Sequence, residues 1–368
     1  MIHIKRINLR HILMILFGLS FVGCLQEEEL FLEVDSISPK EIGDGLELST
    51  PISENVNASL LREAYDYIQE DEDLWPMRSL LVFRNGKLIS EAYLKDLDDI
   101  SQRRMIWSCT KQVTAMLVGI ALDQGLIKSL DDPIEDYMGS ALDGHDDKKN
   151  ITIRNLITMR SGIAFSNDGA GGETDQLLRQ KPASSLNFIL DLPMTAQPGQ
   201  LFNYNDGDPH LLSIIIQGLV GQPLDAWADD VLFSKIGVEN LHWVRYKDGT
   251  TLGGFGIETT ARELSKIALV IANKGEYNGQ RIISSSWVEE MTTLKVETTY
   301  DNDMGYYWWV NTERNLHSMD GHGGQYAYVA PDYDLVITST AIPNTQDDYQ
   351  IRPDEFLRVV DRIIEACQ

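Results

Sequence analysis

Residues 79–93 read SLLVFRNGKLISEAY, two apolar runs that flank the dipeptide Asn85-Gly86. Asn-Gly is the preferred pair for a two-residue hairpin turn, because both turn positions need a positive φ. The stretch therefore predicts an antiparallel hairpin with strands over 79–84 and 87–93. A second hairpin is predicted near the other end of the chain, where apolar runs over 325–330 and 335–339 flank a turn at 331–334.

Helical patterns dominate the chain between these two hairpins, from Ser108 to about Met291. The clearest helices are expected over 108–124, which Gly125 closes, and over 264–274, behind a capping-box sequence at 260–263. Further helices are expected at 57–69, after 131–133, at 152–159, at 209–219 and from Pro353, and a strand is expected at 305–310. The economical arrangement is one antiparallel sheet built from both ends of the chain and covered by terminal helices, with a mostly helical subdomain inserted.

The composition is that of a globular protein with a strong acidic excess. The 368 residues include 31 Lys+Arg and 56 Asp+Glu, a formal charge of −25, and 43% are hydrophobic. Phosphate binding needs Lys and Arg to release counterions, so this balance argues against a nucleic-acid partner. It also argues against a polybasic contact with anionic lipid. The sequence does not predict an oligomeric state.

The first 24 residues have the pattern of an export signal. Lys5, Arg6 and Arg10 precede an apolar run over 12–22 that is too short to span a bilayer. The run ends at Gly23-Cys24, which resembles a bacterial lipoprotein signal in which Cys24 is lipidated and becomes the first residue of the mature chain. The alternative is an ordinary secretory signal peptide over 1–23 with an incidental cysteine.

The expected domain organisation follows from this signal. Residues 24–55 are rich in Asp, Glu, Ser, Pro and Gly and are predicted to be an acidic tether. Residues 56–368 are then the catalytic domain, with a sheet subdomain over 56–107 and 292–368 and a helical subdomain over 108–291. We expect an exported protein, periplasmic or on the cell surface, that meets the membrane only through a lipid anchor on Cys24.

No metal or cofactor is expected. Besides Cys24 the chain has only Cys109 and Cys367, which show no disulfide framework. The seven histidines are scattered, and no Cys/His cluster has the spacing of a metal site.

A Ser-x-x-Lys motif, Ser108-Cys109-Thr110-Lys111, opens the helix predicted at 108–124. Residues three apart lie on the same helix face, so the lysine can reach the serine hydroxyl. A buried lysine can act as the base that the hydroxyl needs, because burial lowers its pKa towards neutrality. The helix N-terminus adds a positive potential and a backbone N–H for an oxyanion. Alone the motif is a weak signal, and a solvated helix lysine is the simpler interpretation of Lys111.

Two further features accompany the motif. Tyr204 lies in a polar loop, FNYNDGD at residues 202–208, and a tyrosine there can relay protons between nucleophile, lysine and leaving group. The stretch GHGGQ at residues 321–325 leads into a predicted strand. Its glycines let the backbone approach a substrate closely, and the Gln325 N–H can serve as a second oxyanion donor.

These features occur in the order of a known family. The further landmarks are Leu130-Asp131-Asp132-Pro133 and the stretches at 151–156, 160–163, 198–199 and 305–309. Over about residues 75–365 the chain resembles the serine β-lactamase-related family, which includes class C β-lactamases, D-alanyl-D-alanine carboxypeptidases, esterases and 6-aminohexanoate-dimer hydrolases. The tyrosine loop and GHGGQ are most similar to the last branch. The resemblance implies an α+β fold of the β-lactamase/transpeptidase type, an α/β sheet subdomain plus an all-α subdomain.

The resemblance also assigns roles. Ser108 is the acylated nucleophile, Lys111 is its general base, and Tyr204 assists proton transfer. His322-Gly323-Gly324 takes the place of the Lys-Thr-Gly motif. The backbone N–H groups of Ser108 and Gln325 form the oxyanion hole, and water hydrolyses the acyl-enzyme.

Two departures from the family pattern affect the expected chemistry. The usual Tyr-x-Asn is Tyr204-Asn205-Asp206 here. A carboxylate from Asp206 beside Lys111 would favour the ammonium and weaken the base, unless Asn205 turns in instead. His322 stands where β-lactamases have Lys, and a mostly neutral imidazole binds a substrate carboxylate less firmly.

The expected function is therefore hydrolysis of a small ester, amide or peptide-like substrate through a Ser108 acyl-enzyme. The alternatives are a D-Ala-D-Ala carboxypeptidase or β-lactamase-type activity, and a non-catalytic binder or sensor like some penicillin-binding proteins, which Asp206 and His322 motivate. An interaction scaffold would require Ser108, Lys111 and Tyr204 to lie apart.

The lipoprotein interpretation makes a testable prediction. We expect Cys24→Ala to lose its lipid and to leave the membrane fraction, because the lipid is attached to that thiol. The measurement is incorporation of radiolabelled palmitate in a bacterial host, followed by fractionation. Cys367→Ala is the matched control and keeps the label. A labelled Cys24→Ala protein would contradict the interpretation, and an unlabelled but exported wild type would support the ordinary secretory signal.

Overall fold

A seven-stranded antiparallel sheet is the main sheet of the protein. The computed structural model describes residues 31–167, 178, 183–300, 302–342 and 350–368. Within them, Leu32–Gln368 forms one compact unit. The predicted signal peptide and Cys24 lie outside the described residues.

The strands of the large sheet come from both ends of the chain, as predicted. They are β1 (Met77–Arg84), β2 (Lys87–Tyr93), β8 (Asp303–Met304), β9 (Trp309–Asn311), β10 (Leu316–Gly321), β11 (Gln325–Ala330) and β12 (Leu335–Ala341). Across the sheet they follow the order β2-β1-β12-β11-β10-β9-β8. Both predicted hairpins are present, and the pairing of β1 with β12 joins them into one sheet. At the first turn, Asn85 and Gly86 have φ of 52° and 78°, the positive values that the Asn-Gly pair supplies.

The helices lie mostly between the two groups of strands. They are α1 (Ala58–Glu70), α2 (Cys109–Asp123), α3 (Glu135–Met138), α4 (Ile153–Ile157), α5 (Ser185–Leu190), α6 (Gly207–Val220), α7 (Leu224–Ala228), α8 (Ala261–Ala272), α9 (Ser285–Thr292) and α10 (Pro353–Glu365). Short 3-10 turns occur at Ile52–Glu54, Glu72–Leu74, Leu97–Ile100, Gly139–Leu142, Ser234–Ile236 and Pro331–Tyr333, and a π turn at Asp229–Phe233. The α+β fold with an inserted helical region is confirmed.

Local signals explain the helix boundaries. The side chain of Asn57 caps α1, and Thr152 forms a capping box with Asn155 at the start of α4. At α8, the Thr260 hydroxyl accepts from the Glu263 N–H at 3.2 Å, but the Glu263 carboxylate accepts from backbone N–H groups of the 239–240 loop instead of completing a box.

One predicted strand is wrong in its first half. Residues 305–308 form a turn, because the Gly305 N–H donates to the Trp308 carbonyl at 2.8 Å and Tyr307 has a φ of 61°. Only Trp309–Asn311 enters the sheet. The sequence analysis also missed β10 and two small sheets, β3 (Arg104–Met105) with β5 (Ile257–Thr259) and β4 (Leu241–Trp243), and β6 (Glu276–Tyr277) with β7 (Gln280–Arg281).

The sheet is covered by helices from the chain ends. Phe356 of α10 stacks on Tyr326 of β11 with ring centroids 5.0 Å apart. Helix α1 packs beside α10, and its Tyr65 hydroxyl bonds to the Ser90 hydroxyl of β2 at 2.8 Å. The terminal helices therefore cover the sheet, as the arrangement of predicted elements required.

The compact unit begins at Leu32. The start of the catalytic domain was predicted at residue 56. The Leu88 N–H of β2 donates to the Glu47 carbonyl, and the buried Arg262 guanidinium donates to the Lys40 carbonyl and pairs with Asp44 at 3.0 Å. Residues 32–55 thus lie against the folded body, because their backbone satisfies the outer edge of β2.

Within the described ranges, no single helix has the length and apolar character to cross a membrane. The segments Gly207–Val220 and Leu224–Ile236 have that length and apolar composition only when they are taken as a pair, and the chain bends by 74° between them.

Candidate active site

Ser108 lies at the start of α2, on the wall of an open cleft. Trp107, the residue before it, has a φ of 49°, a left-handed conformation that is costly for a bulky side chain and is typical of functional sites. The Ser108 side chain does not cap the helix, so its hydroxyl is available for chemistry. The helix N-terminus directs its positive potential at this hydroxyl.

Lys111 lies one turn along α2 and is fully buried. Its Nζ donates to the Ser108 Oγ at 3.0 Å, to the Gly254 carbonyl at 2.9 Å, and to the Asp206 carboxylate. An ammonium has three protons to donate and a neutral amine only two. Three acceptors therefore fit the charged form of Lys111.

Tyr204 completes the group that the sequence predicted. Its ring centroid lies 4.9 Å from the Lys111 Nζ, and both Lys111 and Ser108 are near enough to its hydroxyl to lower the pKa of that group. Burial raises the pKa of Tyr204, and the neighbouring Lys111 ammonium opposes that rise. Ser108, Lys111 and Tyr204 thus converge, and the interaction-scaffold alternative loses its premise.

Asp206, not Asn205, faces Lys111. The Asn205 amide donates to the Asn203 carbonyl and its oxygen accepts from the Asp208 N–H, both at 2.7 Å, so these local bonds hold it away from the lysine. The Asp206 N–H is fixed by the Asn167 side-chain oxygen at 2.8 Å. The departure from Tyr-x-Asn therefore places a carboxylate against the predicted base.

The electrostatic consequence is a lysine held in its charged form. Burial is the largest single influence and by itself lowers the pKa of Lys111, because it disfavours charge. The Asp206 carboxylate and the Tyr204 hydroxyl together outweigh burial, so the pKa of Lys111 is raised above its ordinary value. The fraction of Lys111 able to accept a proton therefore increases as pH rises.

The GHGGQ stretch is a tight turn between β10 and β11. Gly323 and Gly324 have φ of 89° and 110°, which suit glycine, and an added Cβ at Gly321 would lie 2.2 Å from the Ile106 carbonyl oxygen. Gly321 and the exposed His322 line the cleft. The His322 ring lies 5.6 Å from the Trp107 ring.

Gln325 and Gly323 bond behind the cleft wall. The Gln325 side chain donates to the Ala341 carbonyl at 2.5 Å and accepts from the Ala341 N–H at 3.3 Å. The Gly323 N–H donates to the Gln350 side chain at 3.3 Å. The oxyanion role of the Gln325 N–H stays a prediction.

The cleft has a volume of about 800 Å³ and is rich in aromatic side chains. Tyr204 stacks on Trp309 with centroids 5.8 Å apart, and Tyr300 packs edge-on against both. The other aromatic or polar residues of the wall are Trp107, Asn167, Phe255, Thr299, Asn302, Asp320, Tyr326, Gln350 and Arg352. Among the described residues, no group of three or more His, Cys, Asp or Glu could hold a metal ion.

Three contributors to this site were not predicted from the sequence. The Gly254 carbonyl accepts from Lys111, and the Gly253 carbonyl accepts from the Thr114 hydroxyl of α2 at 2.7 Å. An added Cβ at Gly254 would lie 2.8 Å from Asp206, so the glycine-rich run at 253–256 was the available signal. Asp320, also missed, directly precedes GHGGQ.

Comparison with known proteins identifies the class. Residues 76–352 match the model of the beta-lactamase family, and the chain belongs to that family. This confirms the predicted relationship. The fold and this family are shared with hydrolases of several specificities.

The individual relatives have low sequence identity to this chain. A 6-aminohexanoate-dimer hydrolase from Paenarthrobacter ureafaciens is 22% identical over 291 residues, which cover 70% of this chain and 71% of the relative. A solved structure from Bacillus anthracis, provisionally given the same name, has a TM-score of 0.71 at 20% identity and covers 94% of this chain and 92% of its own. A family VIII carboxylesterase has a TM-score of 0.67 at 15% identity, with coverage of 87% and 98%. At these identities the structural likeness establishes the fold alone.

The contact between Asp206 and Lys111 predicts a pH effect. We expect Asp206→Asn to move the acid limb of the kcat/KM profile to lower pH, because losing the carboxylate lowers the Lys111 pKa and frees the base earlier. The measurement is p-nitrophenyl acetate hydrolysis across pH. Asp230→Asn, an exposed acid outside the cleft lining, is the matched control. An unmoved acid limb in Asp206→Asn would show that Asp206 does not set the ionisation of the base.

Proposed function

We propose that this protein is a serine hydrolase that cleaves an ester or amide bond through an acyl-enzyme on Ser108. The observation that carries the proposal is the 3.0 Å contact between the Lys111 Nζ and the Ser108 Oγ, with Tyr204 beside both, at the wall of an open cleft. A nucleophile in contact with its base, and a second group placed to orient that base, is the usual signature of covalent catalysis.

Acylation begins with attack of the Ser108 Oγ on the substrate carbonyl carbon. Its proton passes to Lys111 in the deprotonated form, directly or through the Tyr204 hydroxyl. As the tetrahedral intermediate collapses, the bond to the alcohol or amine breaks, and the same pair returns the proton to the leaving group. Water then attacks the Ser108 ester, gives up its proton to the pair, and releases the acid with Ser108 protonated again.

The developing oxyanion needs two backbone donors. The Ser108 N–H at the start of α2 is one of them in this proposal. The second donor in this proposal is a backbone N–H of the turn between β10 and β11, that of Gln325 or that of His322. Either donor comes from the turn that Gly321 allows to approach α2.

The substrate class in this proposal is a small ester or amide. Support comes from the aromatic lining of the cleft, from the imidazole at His322 in place of an ammonium, and from the likeness to a carboxylesterase. The exported location and the lipid anchor on Cys24, both expected from the sequence, belong to the same proposal.

A second candidate is a non-catalytic binder that has kept the fold. The ion pair between Asp206 and Lys111 favours it, because this pair holds the predicted base protonated. The two candidates differ in whether Ser108 becomes acylated.

Replacement of the nucleophile distinguishes them. We expect Ser108→Ala to lower p-nitrophenyl acetate hydrolysis by at least about a thousandfold, because the acyl-enzyme no longer forms. A fluorophosphonate probe labels the wild type but not this variant. Ser101→Ala, an exposed serine of the preceding loop, is the matched control and keeps its label.

Two results would contradict the hydrolase. Equal labelling of wild type and Ser108→Ala would place the nucleophile elsewhere. An unlabelled wild type that nevertheless binds an ester-like or cell-wall ligand would support the binder.

A further inference from the structure

A carboxyl group that the proposed mechanism does not use lies in the wall of the cleft. Asp320 is the second-last residue of β10, and Gly321, which follows it, packs against the Ile106 carbonyl and the Cys109 thiol at the start of α2. The register partner of Asp320 on β11 is Tyr326, another residue of the cleft wall. Asp320 therefore lies in the same cleft as the Ser108 hydroxyl.

Among the residues that the structure describes, none forms an ion pair with Asp320. The Ser318 hydroxyl, two residues earlier on β10, is the neighbouring group that lowers the pKa of this carboxyl. One carboxyl oxygen, Oδ1, is buried and has no hydrogen-bond partner in the part of the chain that the structure describes. Burial raises the pKa of Asp320 to about 7, which shows how poorly the site stabilises the carboxylate on its own.

The groups that could have paired with Asp320 bond elsewhere. The Tyr326 hydroxyl donates to the Ile351 carbonyl at 2.7 Å. Lys111 is held by Asp206, and Arg352, in the cleft wall, pairs with Glu355 at 2.7 Å and with Asp354 at 3.5 Å. A carboxylate in this position gains most from a positive charge that arrives with a ligand.

The surroundings also suit a cation. Trp107 and Tyr326 contribute aromatic surface to the same cleft, and aromatic faces attract ammonium groups through their quadrupole. A substrate carboxylate would instead meet the like charge of Asp320.

We propose that Asp320 is a specificity-determining residue that selects substrates with a positively charged ammonium group and disfavours substrates with a carboxylate there. This inference rests on the proposed hydrolase function and adds a substrate class to it.

Two pairs of isosteric esters test the preference on either side of the scissile bond. On the acyl side, p-nitrophenyl 5-(trimethylammonio)pentanoate is compared with p-nitrophenyl 6,6-dimethylheptanoate. On the alcohol side, acetylcholine is compared with 3,3-dimethylbutyl acetate, with acid release followed by titration. Within each pair, only the charge of the terminal group changes.

We expect the wild type to prefer the cationic member of at least one pair by roughly tenfold in kcat/KM, the scale of a buried contact with a charged group. Asp320→Asn should lose that preference while retaining hydrolysis of the neutral ester. Asp332→Asn is the matched control, since it removes the same charge from an exposed turn of the sheet and keeps the preference. Equal kcat/KM within both pairs, or a preference that survives Asp320→Asn, would overturn the inference.

A binding measurement separates this inference from the hydrolase itself. Calorimetry with phenyltrimethylammonium should show binding to the wild type and at least about tenfold weaker binding to Asp320→Asn. If this holds while no ester is hydrolysed, the cation site stands and the proposed hydrolase fails. If neutral esters are hydrolysed through Ser108 but the cation does not bind, the hydrolase stands and the role of Asp320 is wrong.

Discussion

The buried ammonium of Lys111 is the interaction on which the site depends. It joins the first turn of α2, the loop before α6 through Asp206, and the glycine-rich loop before β5 through the Gly254 carbonyl. A buried charge without partners costs several kcal/mol, so these segments, far apart in sequence, must meet for the fold to form. The same contacts that satisfy Lys111 in the folded state also oppose its use as a base. The contacts that stabilise the Lys111 ammonium therefore also reduce the fraction of Lys111 that is deprotonated and able to act as a base.

Local signals made much of the fold predictable. The Asn85-Gly86 turn, the Asn57 and Thr152 caps and the glycine after α2 act within a few residues, so sequence alone reveals them. The first four residues of the strand predicted at 305–310 form a turn instead, because Tyr307 takes a positive φ and its carbonyl accepts from the Gln112 side chain at 2.8 Å, a contact between distant segments. Strand β10 was missed because LHSMDG lacks a strand pattern and is specified by its neighbours β9 and β11.

In the candidate site, too, the features set by local sequence were predictable and those set by contacts elsewhere in the fold were not. Ser108, Lys111 and Tyr204 were predictable because two lie on one helix face and the third in a recognisable loop. Whether Asn205 or Asp206 would face the lysine was not, because the outcome depends on the bonds that Asn205 makes with Asn203 and Asp208. The importance of Asp320 depends on the register of β10 with β11 and on the packing of Gly321 against α2, which no local pattern encodes.

The two carboxylates of the cleft, Asp206 and Asp320, differ because the described part of the chain supplies a cationic partner to Asp206 alone. Asp206 forms an ion pair with Lys111, so its charge is neutralised inside the protein and raises the pKa of Lys111. Asp320 has an oxygen without a hydrogen-bond partner within the described residues, so in our proposal its charge is available to a ligand. The acidic composition of the chain could not distinguish these cases, because net charge reports solubility and steering rather than sites. What separates a structural carboxylate from a recognition group is whether its counter-charge is already present in the fold.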